Sequence, residues 1–189
     1  RYGLDFASHV EGAFVCAIWD SQDKRLVVAN DRFGLYPLYY TLQGGRFVFA
    51  PEVKAVIAAP GFHCDLDLAA LAQIVRFQQL LGERTFFDDV SQLAPATVLA
   101  FDLVSRHCHA HTYWSFADVP HRPTVTFDEA AEEAGRLLRE ATRRLSGDHY
   151  RVGVYLSGGL DSRTLLGMVA SRPVHSFTFG ERHCRDVYL

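Results

Sequence analysis

Val152-Gly153-Val154-Tyr155-Leu156-Ser157-Gly158-Gly159-Leu160-Asp161-Ser162 runs from an apolar stretch of strand length straight into a turn of serine and glycine. A helical pattern begins at about Asp161, and a second apolar stretch follows from Val174 to Phe179. Strand, turn, helix and strand in that order predict a parallel βαβ unit with a right-handed crossover. The glycines let the backbone turn tightly and bring amides near a ligand with no Cβ in the way. Amides at the start of the helix, at the positive end of its dipole, favour an anion. Ser157 and Ser162 add hydroxyl donors, and Asp161 is the residue type that holds Mg²⁺ against phosphate. There is neither a GxxxxGK[ST] nor a GxGxxG sequence, so the loop is not a Walker A and not a dinucleotide fingerprint. Ser-Gly-Gly with an acid and no lysine suits pyrophosphate better than γ-phosphoryl transfer. On local chemistry alone, the plainer and weaker alternative is that Gly158-Gly159 merely turns a strand into a helix.

Upstream, Thr126-Phe127-Asp128-Glu129 is a capping-box sequence. Ala130, Ala134, Leu137, Leu138, Ala141 and Leu145 then recur at helical spacing, which predicts an amphipathic helix with Arg136, Arg139 and Arg143 outward. Residues 117–126, with Pro120 and Pro123, read as a linker. Before it the grammar is β-rich. The run from Gly12 to Asp20 predicts a strand, Ser21 to Lys24 a turn, and Arg25 to Asn30 its hairpin partner. Pro37 to Thr41 and Phe47 to Ala50 predict strands around the reversal Gln43-Gly44-Gly45-Arg46, and Thr97 to Phe101 with His107 to Tyr113 a late hairpin. Runs this continuously apolar predict strands covered on both faces. Glu52 to Ala58 and Leu68 to Phe77 read as helices, the second capped by Asp67.

The 189 residues are long enough for one domain and part of another. Beginning at Arg1 and ending at Leu189, the chain reads as a piece of something longer. A net charge of -3 gives no reason to expect a nucleic-acid partner, and no apolar run is long enough for a membrane-spanning helix. Cys16, Cys64, Cys108 and Cys184 are scattered, with no CxxC pair, as in a reducing compartment such as the cytoplasm. Alternate histidines in Arg106-His107-Cys108-His109-Ala110-His111 would share one face of a strand, but no carboxylate or fourth ligand lies nearby in the sequence, so they read as the wet face of an edge strand.

The hexapeptide Ser157 to Ser162 resembles, letter for letter, the pyrophosphate loop of the ATP pyrophosphatase superfamily. The resemblance widens to most of the chain. The stretch from Val10 to Asp20, then Asn30-Asp31-Arg32-Phe33-Gly34 with Pro37-Leu38-Tyr39-Tyr40, and Phe47-Val48-Phe49-Ala50 with Glu52-Val53-Lys54-Ala55 are similar to the glutaminase domain of glutamine-hydrolysing asparagine synthetases. Thr85-Phe86-Phe87, Leu93, Pro95 and Tyr113-Trp114 resemble its closing segment.

The resemblance implies a fold of mixed α/β and α+β class. Residues 1–116 would be part of an N-terminal-nucleophile-type αββα sandwich, and residues 127–189 the start of a parallel-sheet ATP pyrophosphatase domain, adenine nucleotide α-hydrolase-like. It implies an enzyme that takes ammonia from glutamine, activates a carboxylate (aspartate first) as an acyl-adenylate with release of pyrophosphate, and amidates it. ATP and Mg²⁺ are the implied cofactors, and a homodimer is an implied assembly. Leu156 would lie near the adenine; Ser157, Gly158, Gly159 and Ser162 would hold pyrophosphate; Asp161 would bind Mg²⁺. Phe179 and Gly180 resemble the strand end that borders the nucleotide, and Asp186 an acid shortly after it.

The family's glutaminase uses an N-terminal cysteine; Arg1 stands here and Cys16 lies inside a strand, so no residue of that site is carried over. The piece alone is expected to be inactive. Tyr36 stands where many members have lysine, Pro51 where serine is usual, Ala94-Pro95-Ala96 for Pro-Pro-Gly, and Arg163 for a second serine. Relatives that close β-lactam rings or cyclise lasso peptides keep the ATP chemistry and change the acceptor, which leaves that reading open beside aspartate. A non-catalytic remnant of the fold is the third.

Overall fold

The computed structural model describes residues 2–147, 151–169 and 173–181. It divides into two compact units, Arg1–Pro120 and His121–Leu189.

In the first unit a four-stranded antiparallel sheet is built from β1 (Val15–Asp20), β2 (Arg25–Asn30), β6 (Thr97–Asp102) and β7 (Cys108–Thr112), in that order. The strands β3 (Tyr39–Gln43), β4 (Arg46–Ala50) and β5 (Ser91–Gln92) form a second sheet in the order β4-β3-β5. The period of two sorts the core into two faces. Val27, Ala29, Val98 and Ala100 pack with Ala7, Leu4 and Phe6, which lie in or beside the 3₁₀ helix Gly3–His9. On the opposite face Val28 and Leu99 pack with Leu38, Leu93, Tyr40, Phe47 and Phe49, and Phe47 stacks on Phe101 at 5.3 Å. One face of the first sheet therefore meets residues of the second sheet and the other the 3₁₀ helix Gly3–His9.

The expectation that the strands are covered on both faces holds for β2 and β6 and fails for β1. Ile18 is 42% exposed and Trp19 52%. As the edge strand, β1 carries its later half past both covering layers.

Between β4 and β5 come α1 (Val53–Ile57) and α2 (Leu68–Phe77). Asp67 caps α2, accepting from the amides of Ala69 and Ala70, and also pairs with Arg84. Burial pushes its carboxyl up, but donation from Ala70, Arg84 and Ala69 outweighs that and holds it below the usual carboxylate range. The cap's contribution is therefore present above the ordinary aspartate pKa, about 3.9, and is lost as pH falls through the lower folded value. Asp67→Ala should lower the thermal midpoint by roughly 4 °C at neutral pH. An unchanged midpoint in calorimetry would show that the cap contributes nothing net.

The second unit holds α3 (Phe127–Leu145), β8 (Gly153–Tyr155), α4 (Leu160–Met168) and β9 (His175–Phe177). Thr126 and Glu129 form the capping box, and the Thr126 amide and hydroxyl hold the Glu129 carboxyl below its usual range. Glu133, Arg136, Glu140 and Arg144 make a ladder of ion pairs along α3. Its apolar stripe is not buried as the spacing predicts: Leu137 is 50% and Leu145 83% exposed, whereas the buried positions are Thr142 and Ser146. The physical reason is surface area. Among the described residues, one short helix and two short strands cannot cover a stripe 19 residues long.

Strands β8 and β9 pair in parallel, Gly153 opposite His175, Val154 opposite Ser176 and Tyr155 opposite Phe177. Helix α4 connects them and packs on β8 and α3. This is the βαβ arrangement that the strand-turn-helix-strand order predicts.

Candidate functional site

The loop 157–162 leaves the carboxyl end of β8, the end where open parallel sheets bind ligands. Its serines hold it closed. The Ser157 amide donates to Ser162 Oγ at 3.1 Å, the two hydroxyl oxygens lie 3.0 Å apart, and Ser162 Oγ reaches Ser157 O at 3.0 Å and Gly159 O at 3.3 Å. The Gly159 amide donates to Ser157 Oγ at 3.2 Å. Gly159 has φ -76 and ψ 159, which any residue can adopt. A Cβ there would lie 3.2 Å from Ser157 Oγ, so a larger residue would push that hydroxyl by a few tenths of an ångström out of its clasp.

Gly159 is also the N-cap of α4, and no side chain caps the helix. Its first-turn amides and dipole therefore present partial positive charge at the loop. Asp161 stands exposed in that first turn, and its carboxylate has no hydrogen bond or ion pair among the described residues. One carboxylate fits Mg²⁺, which commonly takes one or two from a protein and the rest of its shell from phosphate and water. Among the described residues no group of three or more His, Cys, Asp or Glu could hold a metal by itself.

Leu156 is half-buried beside the loop; its amide donates to Phe177 O at 2.8 Å and its carbonyl accepts from Thr178 Oγ1 at 2.9 Å. Phe179 is 78% exposed and meets Tyr155 edge-on at 6.0 Å, and Gly180 follows it. Leu156, Ser157, Gly158, Gly159, Phe179 and Gly180 thus lie just past the ends of two paired strands or in the turn between β8 and α4, and Asp161 and Ser162 in the first turn of α4. Asp186 lies outside the described residues. Two residues go beyond that set. Thr178 ties the end of β9 to Leu156, and Arg163 donates through Nε to Gly159 O at 3.2 Å. The departure of Arg163 from serine was the one sequence signal for it; Thr178 had none.

In the first unit Cys16 is half-buried in β1, and burial pushes its thiol up, which argues against a nucleophile there. Of the alternate histidines, His109 and His111 sit on the edge strand β7 and His107 just before it, and His111 Nε2 lies 3.4 Å from Asp5. Asn30 and Asp31 are buried polar groups with full partnerships. Asn30 Nδ2 donates to Ala94 O and Oδ1 accepts from the Thr97 amide, while the Asp31 carboxylate accepts from the amides of Phe14, Phe33 and Leu35. The motif therefore ties β2 to the Ala94-Pro95-Ala96 turn. Ala96 adopts φ 53, so alanine is held where glycine is the easier residue, at a cost of about 1 kcal/mol.

Residues 1–114 match the family described as a glutamine amidotransferase domain, and residues 133–186 match the family described as asparagine synthase. The chain is 29% identical over 182 residues to an asparagine synthetase [glutamine-hydrolyzing] 3 of Bacillus subtilis, covering 92% of this chain and 29% of that protein. It is 34% identical over 174 residues to the amidase chry2 of Gibberella zeae, covering 90% of this chain and 25% of the relative. A putative asparagine synthetase [glutamine-hydrolyzing] 2 of Methanocaldococcus jannaschii is 25% identical over 186 residues, covering 95% of this chain and 36% of that protein. The chain spans about a quarter to a third of these relatives.

Proposed function

Because the chain belongs to the glutamine-hydrolysing asparagine synthetase family, with a glutamine amidotransferase domain over residues 1–114, we propose that its protein is an ATP-dependent ligase that adenylates a carboxylate and amidates it. The observation that carries the reading is the serine-clasped turn at the amino end of α4, with Asp161 beside it. Residues 1–116 are part of an N-terminal-nucleophile αββα sandwich, residues 117–126 are a linker, and residues 127–189 are the start of a parallel-sheet ATP pyrophosphatase domain.

In this reading Leu156 lies near the adenine, with Phe179 and Gly180 bordering the nucleotide and Asp186 an acid close by. The amides at Gly158 and Gly159 and the hydroxyls of Ser157 and Ser162 hold the phosphates that leave. A carboxylate oxygen attacks the α-phosphorus, the bond to the bridging oxygen breaks, and pyrophosphate departs. Ammonia then attacks the activated carbonyl, AMP leaves with the carboxylate's oxygen, and one proton is released. Asp161 positions Mg²⁺, whose charge, when bound, offsets that of the phosphates. Aspartate is the first carboxylate, glutamine the source of ammonia, and the cytoplasm the setting; a homodimer is the assembly.

The test is product identity in the full-length protein with aspartate and either glutamine or ammonium. AMP and pyrophosphate in equal amounts are expected; ADP and phosphate would sink the mechanism. A second reading keeps the ATP chemistry and changes the acceptor, as in β-lactam or lasso-peptide cyclases. The amidase names of two fungal relatives, at 34% and 33% identity, favour keeping it. Pyrophosphate release with another carboxylate but not aspartate would select it, whereas no release with any carboxylate would leave a non-catalytic remnant.

A further inference from the structure

Within Ser157 to Ser162 there is no basic side chain, although the proposed ligand is polyanionic. The residue next along the chain is Arg163, one turn into α4 from its N-cap. Its Nε donates to the Gly159 carbonyl at 3.2 Å, which fixes the guanidinium against the loop's own backbone. That carbonyl also lies 3.3 Å from Ser162 Oγ, so arginine and serine clasp the same peptide. Among the described residues the guanidinium has no carboxylate partner; residues two apart do not face each other on a helix, so Asp161 does not neutralise it. A cation beside the amino end of a helix is misplaced with respect to the dipole. A bound anion reverses that sign, since dipole and guanidinium then act on it together. Serine at this position, as in many members of the family, supplies no charge.

Resting on the reading of the loop as a pyrophosphate site, we propose that Arg163 is the loop's cation: held by Nε at Gly159, it pairs with the two phosphates that leave, and so sets the preference for nucleoside triphosphate over monophosphate. Nε is occupied by the carbonyl, and the terminal nitrogens of the fork remain for oxygen ligands. The role is one of binding and charge. No proton moves through it.

The experiment is isothermal calorimetry on the full-length protein with Mg-ATP, inorganic pyrophosphate and AMP, for wild type, Arg163→Gln and Arg163→Lys, with the melting midpoint of each measured alongside. Arg163→Gln should bind ATP and pyrophosphate about tenfold more weakly and AMP within about twofold of wild type. Arg163→Lys should recover part of the lost pyrophosphate affinity, because charge is retained while the Nε anchor and the fork are lost. Raising salt should narrow the gap between wild type and Arg163→Gln. Equal weakening of AMP and ATP would make the residue a structural clasp and overturn the proposal, as would a lysine variant no better than glutamine. Wild-type binding of ATP with no change in Arg163→Gln would overturn it alone. Failure of wild type to bind Mg-ATP at all would overturn the reading of the loop and this inference with it.

Discussion

Asp161→Ala is expected to lower carboxylate-dependent pyrophosphate release by the full-length protein about a thousandfold, with circular dichroism and the unfolding midpoint nearly unchanged. The two halves of that expectation have separate causes. The carboxylate is exposed and makes no hydrogen bond or ion pair among the described residues, so its removal costs the fold only a helix-dipole contribution. Its chemical role is to place a divalent cation against phosphate, which is worth several kcal/mol in the transition state, at about 1.4 kcal/mol per tenfold in rate. Asp161→Asn separates charge from size: it keeps the shape and should fall almost as far. Activity above about a tenth of wild type in both variants would show that Asp161 does not hold the metal.

The largest effect on stability is expected at Asp31, in the other unit. Its carboxylate is 3% exposed and accepts from the amides of Phe14, Phe33 and Leu35, while its backbone carbonyl accepts from Gly34 and Ala96. Asp31→Ala leaves three backbone amides, each part-buried, without their acceptor, and a donor left unmade costs up to about 1–3 kcal/mol where it is fully buried. A loss of about 3–5 kcal/mol is expected in urea unfolding of the full-length protein, seen as a lower midpoint with an unchanged slope. Asn30→Ala should cost less, since two of the three side-chain bonds it removes leave only the Leu93 and Ala94 carbonyls short of a donor and just one, from the Thr97 amide, leaves an N–H without an acceptor. A loss under about 1 kcal/mol at Asp31 would mean that water replaces the carboxylate at little cost.

What could be read in the sequence was what short-range chemistry determines. The cap at Asp67, the capping box at Thr126 and Glu129, the Ser21 to Lys24 hairpin and the turn at Gly44-Gly45 each depend on a few adjacent residues, and the structure has them. The pairing of β2 with β6 spans some seventy positions and left no local signal. Neither did the open flank of β1: an apolar run reads the same on an edge strand as in the middle of a sheet. Helix α3 shows the same limit, since its spacing announces a stripe but not what covers it. At the loop, the residue types were legible and the clasp was not. In the sequence Ser157 and Ser162 are donors to a ligand, whereas in the structure they hold each other, and Arg163 stands out from its neighbours only as a departure from serine.

If the loop serves adenylation of a carboxylate, an oxygen atom of that carboxylate must pass to AMP. The full-length protein is given ATP, ammonium and aspartate labelled with ¹⁸O in its side-chain carboxylate, and the nucleotide products are examined by mass spectrometry. One ¹⁸O is expected in each AMP formed with amide, because the carboxylate oxygen that attacks the α-phosphorus stays there when ammonia displaces AMP. Label in inorganic phosphate, with ADP as the nucleotide product, would contradict it.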